Sequence, residues 1–584
     1  MLKTLGAQVK QYRWVTFITP VFSALEAVAD MFLPMLMSQI IDKGVKVGGQ
    51  AGMQAVLHYG AIMVAVAIGA LVCGILAGRF ASIASTGFAA NLRQAMFANI
   101  QSFSFSNIDR FSTAGLVTRL TTDVSNVQLS YQMITRICVR APVMFITALI
   151  MAFSIHASLS MIFVAAIVIL AATLSFIIFK ATGTFNRVFK KYDDLNASVQ
   201  ENVGAIRVVK AYVRGDYESE RFRGTAEDLR QATLSSSRLF TLTGPIQMTI
   251  LWGCTIVLLL LGGREIIFRT TGLLTGELVS LVSYTTQAVN ALTMLTWLIM
   301  ALSRAHASLV RINEVLDETV DITDGPSDAV VEDGSVDFED VCFSYSGDPD
   351  KLALRHITVH INSGETIGII GGTGEGKSTL VNLIPRFYDT LSGTVRVGGR
   401  DVRDYTLEHL RDGVSMVLQN GALFSGTIAQ NLRWGNANAT QEQLREACAI
   451  ACADEFIDRF PDGYETVLEQ NAANLSGGQK QRLRIARAIV KQPKILILDD
   501  STSAVDMATD EHIRRALKTA MPGSTKIIIA QRIASILSCD RIIVLHEGEL
   551  SDVGTHAELM ERSQIYRDVY DSQMREEGEQ HGQS

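Results

Sequence analysis

Long apolar windows, free of Asp, Glu, Lys and Arg, dominate the first half of the chain. One of them runs over residues 141–179. At ~1.5 Å of helix rise per residue it is about twice as long as a ~30 Å hydrocarbon layer is thick. It therefore predicts two spans, 141–157 and 160–179, with a tight turn near His156. The windows 239–263 and 278–303 predict one span each, as does 56–78. A further span is expected at 14–41, although it carries two acids, Glu26 and Asp30. Six spans are expected in all. Met1–Arg13 leads into a full-length span, unlike a cleaved signal segment with its short apolar stretch.

The connections 79–140 and 180–238 contain no proline and few glycines. A coil of that length without breakers is implausible, so both are expected to be helices that leave the bilayer, turn and return. The segment 180–238 carries eleven Lys and Arg residues, against about two in each short loop after the first and fifth spans. The positive-inside rule then puts 180–238, the N-terminus and everything after Arg304 in the cytoplasm of a multi-pass protein of the cytoplasmic membrane. Residues 1–311 are thus read as a membrane domain, and the acidic 312–335, with its Gly-Pro-Ser, as a linker. From 336 to 575 short β-branched runs alternate with helical patterns, as in an α/β domain, and 576–584 reads as a frayed polar tail.

Composition agrees with this division. Of 584 residues 48% are apolar and 19% charged, where soluble chains carry ~25% charged residues. A net charge of −7 argues against a nucleic-acid partner. Seven dispersed cysteines, with no CxxC pair, read as packing residues in a reducing compartment. Cys448 and Cys452 stand four apart, as two residues on one face of a core helix would.

Chemistry enters at Ile367–Ile370, an apolar run followed by Gly371-Gly372-Thr373-Gly374-Glu375-Gly376-Lys377-Ser378-Thr379 and then a helical pattern. This is G-x-x-x-x-G-K-S in a strand–loop–helix setting. Its glycines let backbone N–H groups close around phosphates, and the helix N-terminus adds partial positive charge. Lys377 is placed to reach the β- and γ-phosphates of ATP, and the Ser378 hydroxyl to ligate Mg²⁺. Glu375 is an anion inside this cradle, and it either points away or weakens binding. Downstream, Ile495-Leu-Ile-Leu-Asp499 predicts a buried strand ending in an acid suited to the metal. Between them stands Leu475-Ser476-Gly477-Gly478-Gln479.

These motifs, with the preceding spans, resemble the ATP-binding cassette (ABC) family, whose signature is LSGGQ. The resemblance covers essentially the whole chain and implies an exporter half-transporter: an α-helical membrane domain with six transmembrane helices and long cytoplasmic extensions, plus an α/β P-loop nucleotide-binding domain. It implies that Tyr345 stacks on adenine and that Gln419 contacts Mg²⁺ and senses the γ-phosphate. Ser503-Ala-Val-Asp506 matches the D-loop, and Glu469 an acid that meets the coupling helices. Asp109–Gly115 and Arg214-Gly-Asp-Tyr-Glu resemble the two coupling-helix regions.

Two departures stand out. The family's catalytic glutamate is Asp500 here, and its switch histidine is Gln531. The shorter acid sets its carboxylate back by ~1.5 Å, and a misplacement of that size can cost about 10²-fold. An amide donates a hydrogen bond but carries no charge. Together they describe a site kept for binding ATP and poor at cleaving it. ABC sites are composite, so the resemblance points to the degenerate-site subunit of a heterodimeric, multidrug-type exporter. A second half-transporter, the lipid bilayer and an amphipathic or drug-like substrate are the implied partners. The alternatives are a homodimeric exporter of lipid or peptide and a chelate importer with an exporter fold.

Substrate residues are less marked. Glu26 and Asp30, four apart, share a helix face and either contact a cationic substrate or bond a neighbouring span. Met294, Trp297 and Met300 form a stripe that lines an adaptable cavity or simply packs.

Overall fold

The computed structural model describes residues 6–268, 272–419, 421–501 and 505–581. The side chains at 163, 174, 178, 181–186, 189, 236, 239, 240, 300, 303, 304 and 574–581 lie outside that description. The chain divides into two units, Met1–Gln101 with Ala114–Glu318, and Ser102–Thr113 with Thr319–Ser584.

The first unit is a bundle of long helices: α1 (Arg13–Gln39), α2 (Gly49–Ser102), then, after the short segment α3 (Phe105–Phe111) of the second unit, α4 (Val124–Ile155), α5 (Ala157–Gly204), α6 (Gly215–Thr241), α7 (Thr243–Phe268) and α8 (Thr275–Asp317). The 54 residues of α2 reach about 80 Å at ~1.5 Å each, far beyond a bilayer core. The long connections are therefore helical, as their lack of breakers predicts. His156 makes the expected turn: its backbone is extended, and Nδ1 accepts the Leu159 N–H at 3.3 Å, capping α5.

Five helical stretches among the described residues are long and apolar enough to cross a membrane: Lys10–Val45, Gly49–Ser102, Thr113–Ile155, Ala157–Ile177 and Thr243–Phe268. The sixth expected span, 278–303, lies in α8. Polar positions there tie α8 to α1: Ser280 Oγ donates to the Pro34 carbonyl at 2.6 Å and Tyr284 OH to that of Met31 at 3.0 Å. Small residues line the packed core of the unit, with Ala27, Ala148, Ala288 and Ala291 set around Tyr284 and Met31. Such residues let membrane helices approach closely.

Three boundaries differ from expectation. Helix α8 runs to Asp317 and the first unit ends at Glu318, so the head of the expected linker 312–335 is helix. The helix at the C-terminus continues to His581, through most of the expected tail, because Arg, Glu and Gln are good helix formers. Cys448 and Cys452 are both buried, but their helix, Gln441–Ile450, ends before Cys452, which sits at φ +52 beyond the cap. They do not share a helix face.

The second unit is α/β. Strands β1 (Val336–Phe343), β2 (Leu354–Ile361), β4 (Ser392–Val397) and β5 (Arg400–Asp401) form an antiparallel sheet in the order β2-β1-β4-β5. Strands β3 (Thr366–Ile370), β6 (Val414–Val417), β9 (Ile495–Asp499), β10 (Thr525–Ile529), β11 (Arg541–His546) and β12 (Glu549–Gly554) form a second sheet, β12-β11-β3-β10-β9-β6. Two short strands, β7 (Gly426–Thr427) and β8 (Val467–Leu468), pair apart from both. The second sheet is parallel except for β12; its parallel strands are largely apolar, as strands buried on both faces must be, while β12 is polar and partly exposed. Ile529 pairs with Ile369 and with Asp499, so β3, β10 and β9 end level with one another. Loops leaving a parallel sheet at that edge converge.

The short α3 belongs to this unit. Ser104 caps it with Asn107 in a capping box, Phe105 stacks on Phe387 at 4.2 Å, and Tyr388 OH donates to Asp109 Oδ2 at 2.7 Å. The helix at the first expected coupling region thus begins before Asp109, at Phe105, and ends at Ser112, whose φ is +56.

Candidate functional site

The phosphate cradle grows out of β3. Its loop, residues 371–376, turns at Gly374 (φ +89) and Gly376 (φ +88), and Gly376 caps helix α9 (Lys377–Asn382). At Gly371 there is no room for a side chain, since a Cβ would lie 2.5 Å from the Leu545 carbonyl oxygen. Thr373 and Gly374 stand exposed at the rim. Lys377 Nζ folds across the loop and donates to the carbonyls of Gly371 at 2.8 Å and Gly372 at 2.5 Å. Burial holds its ammonium below the usual lysine range, against the pull of Glu375, Asp499 and Asp500. An ammonium held on two neutral carbonyl acceptors can exchange them for phosphate.

Glu375 does not face the cradle. Its carboxylate accepts the Glu547 N–H and stands 3.6 Å from His546 Nδ1, at the turn after β11. The irregular anion of the loop is therefore turned to the side.

Ser378 Oγ donates to Asp499 Oδ1 at 3.0 Å, and Asp499, at the end of β9, is almost fully buried. Burial raises its carboxyl above the ordinary range, and the Ser378 hydrogen bond opposes that shift. The next residue, Asp500, leaves the sheet at φ +46, with its N–H on the Ile529 carbonyl at 3.0 Å. One oxygen, Oδ2, accepts from Gln419 Nε2 at 3.3 Å and from Gln531 Nε2 at 2.8 Å. Burial raises this carboxyl too, against the Gln419 bond. Tyr345 closes the group from the β1 side: its hydroxyl bonds Thr379 Oγ1 at 3.0 Å, and its exposed ring meets Phe343 and Tyr388 edge-on.

The structure thus brings together the loop 371–379, Tyr345, Gln419, Asp499, Asp500 and Gln531. The signature residues form a separate feature. Ser476 caps helix α10 (Gly477–Val490), and its hydroxyl and the Gln479 side chain close on each other in a capping box. Ser476 and Gly477 are exposed and Gly478 is half-exposed, which leaves the helix N-terminus open to an outside anion. Asp506 caps helix α11 (Met507–Ala520) through the Thr509 N–H at 3.0 Å, while Ser503 and Ala504 of the expected D-loop lie outside the described residues. Glu469 is exposed, and its N–H donates to Asn474 Oδ1 at 3.1 Å.

In the first unit, Glu26 and Asp30 are paired with arginines of α4. Arg140 Nη1 lies 2.9 Å from Glu26 Oε1, Arg140 Nη2 lies 3.2 Å from Asp30 Oδ2, and Arg136 lies 3.8 Å from Glu26 Oε2. Gly74 of α2 makes space for this group, since a Cβ there would stand 2.9 Å from Glu26 Oε1. Of the two readings of these acids, the geometry shows the bond to a neighbouring helix. Arg136 and Arg140 escape a reading based on charge-free windows because they stand just outside one. Their spacing of four matches that of the acids and is the available signal. Trp297 is exposed and Met294 half-buried, while the Met300 side chain lies outside the description.

A phosphate cradle and a buried acid at the edge of a parallel sheet, in a chain whose other unit is a bundle of membrane-length helices, define a membrane-bound P-loop ATPase. Residues 16–292 match the ABC transporter transmembrane region family and residues 354–503 the ABC transporter family. The chain is 36% identical over 569 residues to the uncharacterized ABC transporter ATP-binding protein YfiB of Bacillus subtilis (strain 168), covering 97% of this chain and 98% of that one. It belongs to the ABC transporter family. It is also 32% identical over 508 residues to the ATP-dependent lipid A-core flippase of Hahella chejuensis, with 86% of this chain and 85% of that one covered. A solved bacterial Atm1-family ABC exporter with ATP bound shares its fold, with a TM-score of 0.79 over 97% of this chain and 98% of that one at 23% identity.

Proposed function

We propose that the chain is one half of an ATP-driven exporter in the cytoplasmic membrane, with six spans and both termini in the cytoplasm, and that its own Walker site binds ATP but cleaves it slowly. The observation that carries this reading is Asp500. The shortened acid and the amide of Gln531, at the positions of the family's glutamate and histidine, are bonded to each other, and Gln419 shares the same carboxylate oxygen. Two donors already engage that oxygen, which weakens it as the partner of an attacking water.

The oxygens of Ser378 and Asp499, 3.0 Å apart, fit a hard cation such as Mg²⁺ that completes its shell with phosphate oxygens and water. When bound, it neutralises phosphate charge. The chain's own groups do the rest. The loop N–H groups and Lys377 hold the phosphates, the Tyr345 ring takes the adenine, and the exposed Ser476–Gln479 cap closes the Walker site of a second half-transporter.

A heterodimer follows from the impaired site, since two copies of it leave no competent one. ATP-dependent accumulation of amphipathic compounds in inverted vesicles tests the export reading. Lys377→Ala should reduce that transport less than the equivalent lysine change in the partner, and equal, complete loss from both would count against asymmetry. The kinship with a lipid A-core flippase favours a second reading, a homodimer that moves lipid. Flipping of a labelled lipid by the purified chain alone in liposomes would select it.

A further inference from the structure

Helix α12 (Gln564–His581) reaches the nucleotide site through one side chain. Gln573 Oε1 accepts the Ile533 N–H at 2.7 Å, and its Nε2 donates to the Gln531 carbonyl at 2.8 Å. The amide therefore grips the backbone of the switch segment at two points, as a neighbouring strand would. Its position is set seven residues earlier on the same helix face. There Tyr566 is fully buried, its hydroxyl 2.8 Å from His556 Nδ1 and its N–H on Ser563 Oγ. The far end of the segment is held by α11, where Arg514 Nη1 donates to the Ser535 carbonyl at 2.6 Å and Asp510 accepts from Ser535 Oγ at 2.9 Å. Along the segment a cavity of about 550 Å³, lined by Asp500, Met507, Arg514, Gln531, Arg532 and Ser535 among others, leaves room for it to shift.

We infer that Gln573 is a positioning residue for the switch segment, acting through Gln531, so that the docking of the C-terminal helix sets how well this site distinguishes a γ-phosphate. The chain of bonds is continuous: Gln573 holds the Gln531 backbone, and the Gln531 amide lies on Asp500, 2.8 Å away. The inference rests on the reading of Gln531 as the residue that meets the γ-phosphate. ADP, which lacks that group, does not depend on the grip.

The test uses the purified full-length chain, with AMP-PNP and ADP as probes and hydrogen exchange as an independent readout. Gln573→Ala should weaken AMP-PNP binding about three- to tenfold, the weight of one or two neutral hydrogen bonds, and leave ADP binding unchanged. Peptides over 530–536 should exchange faster, with β10 as protected as before. Gln573→Glu keeps the length and helical tendency of the side chain but sets an acceptor against the Gln531 carbonyl. It should lose AMP-PNP affinity equally and serves if the alanine variant fails to fold. Equal weakening of both nucleotides, or of neither, would overturn the inference. Gln531→Ala separates the causes. If it abolishes the preference for AMP-PNP while Gln573→Ala does not, the inference alone fails. If Gln531→Ala leaves the preference intact, the γ-phosphate reading of Gln531 fails first.

Discussion

At position 500 the carboxylate leaves the backbone at φ +46 and presents one oxygen to two glutamine amides, those of Gln419 and Gln531. Lengthening the side chain by one methylene moves that oxygen forward, and a histidine at 531 replaces the amide with a group that can carry charge. Asp500→Glu or Gln531→His alone should leave hydrolysis at this site slow, because both groups act on one step and their effects are not additive. The double variant should raise it modestly, measured in the assembled pair with the partner's catalytic glutamate changed to Gln. Full turnover would show that these two residues were the whole block. No rise, with an intact partner signature, would defeat the account of a degenerate site. Glu375 shows the limit of reading residues singly. Its sequence position suggests a repelled phosphate, yet its actual partner is the N–H of Glu547, 172 residues away.

At the scale of elements, the joint between α1 and α4 rests on Arg140, whose side chain is 20% exposed, set against Glu26 at 11%. Removing one member of such a pair leaves the other charge buried. Arg140→Ala should therefore lower the unfolding stability of the detergent-solubilised protein by ~3 kcal/mol. Arg140→Met should recover most of that only when both Glu26→Gln and Asp30→Asn accompany it, since Arg140 holds both acids, and a thermal-shift double-mutant cycle on Arg140 and Glu26 measures their coupling. Additive losses would show that the two side chains stand apart in the folded protein. Elements that depend on contiguous residues were legible in the chain itself: the strand, glycine loop and helix of the cradle, the turn at His156, and the helical continuation of α2 and α5 into the proline-free connections 79–140 and 180–238. What escaped depends on distant partners. The polar face of α8 makes sense only against α1, the arginine pairs only once α4 lies beside α1, and Gln573 only once α12 docks on its buried tyrosine. Helix ends such as that before Cys452 were lost for another reason, since a left-handed cap on a non-glycine residue leaves no mark in composition.

For the whole molecule, the two conspicuous motifs of the nucleotide unit have separate duties. The cradle and its neighbours gather around Lys377, while Ser476 caps a helix whose open end, among the described residues, has no phosphate loop bonded to it. In the proposed pair that end serves the partner's competent site, so Gly477→Asp, which sets an anion against the γ-phosphate, should abolish steady-state ATPase activity of the complex. Retained activity would place hydrolysis elsewhere. The most direct test of the central claim is the turnover of the chain purified alone and reconstituted in lipid, with bound nucleotide measured in the same sample. The account predicts ATP binding that Lys377→Ala removes, with turnover well below about one per second, the low edge of the ordinary enzyme range. Turnover above that value, abolished by Lys377→Ala, would show a competent site in this chain and contradict the account.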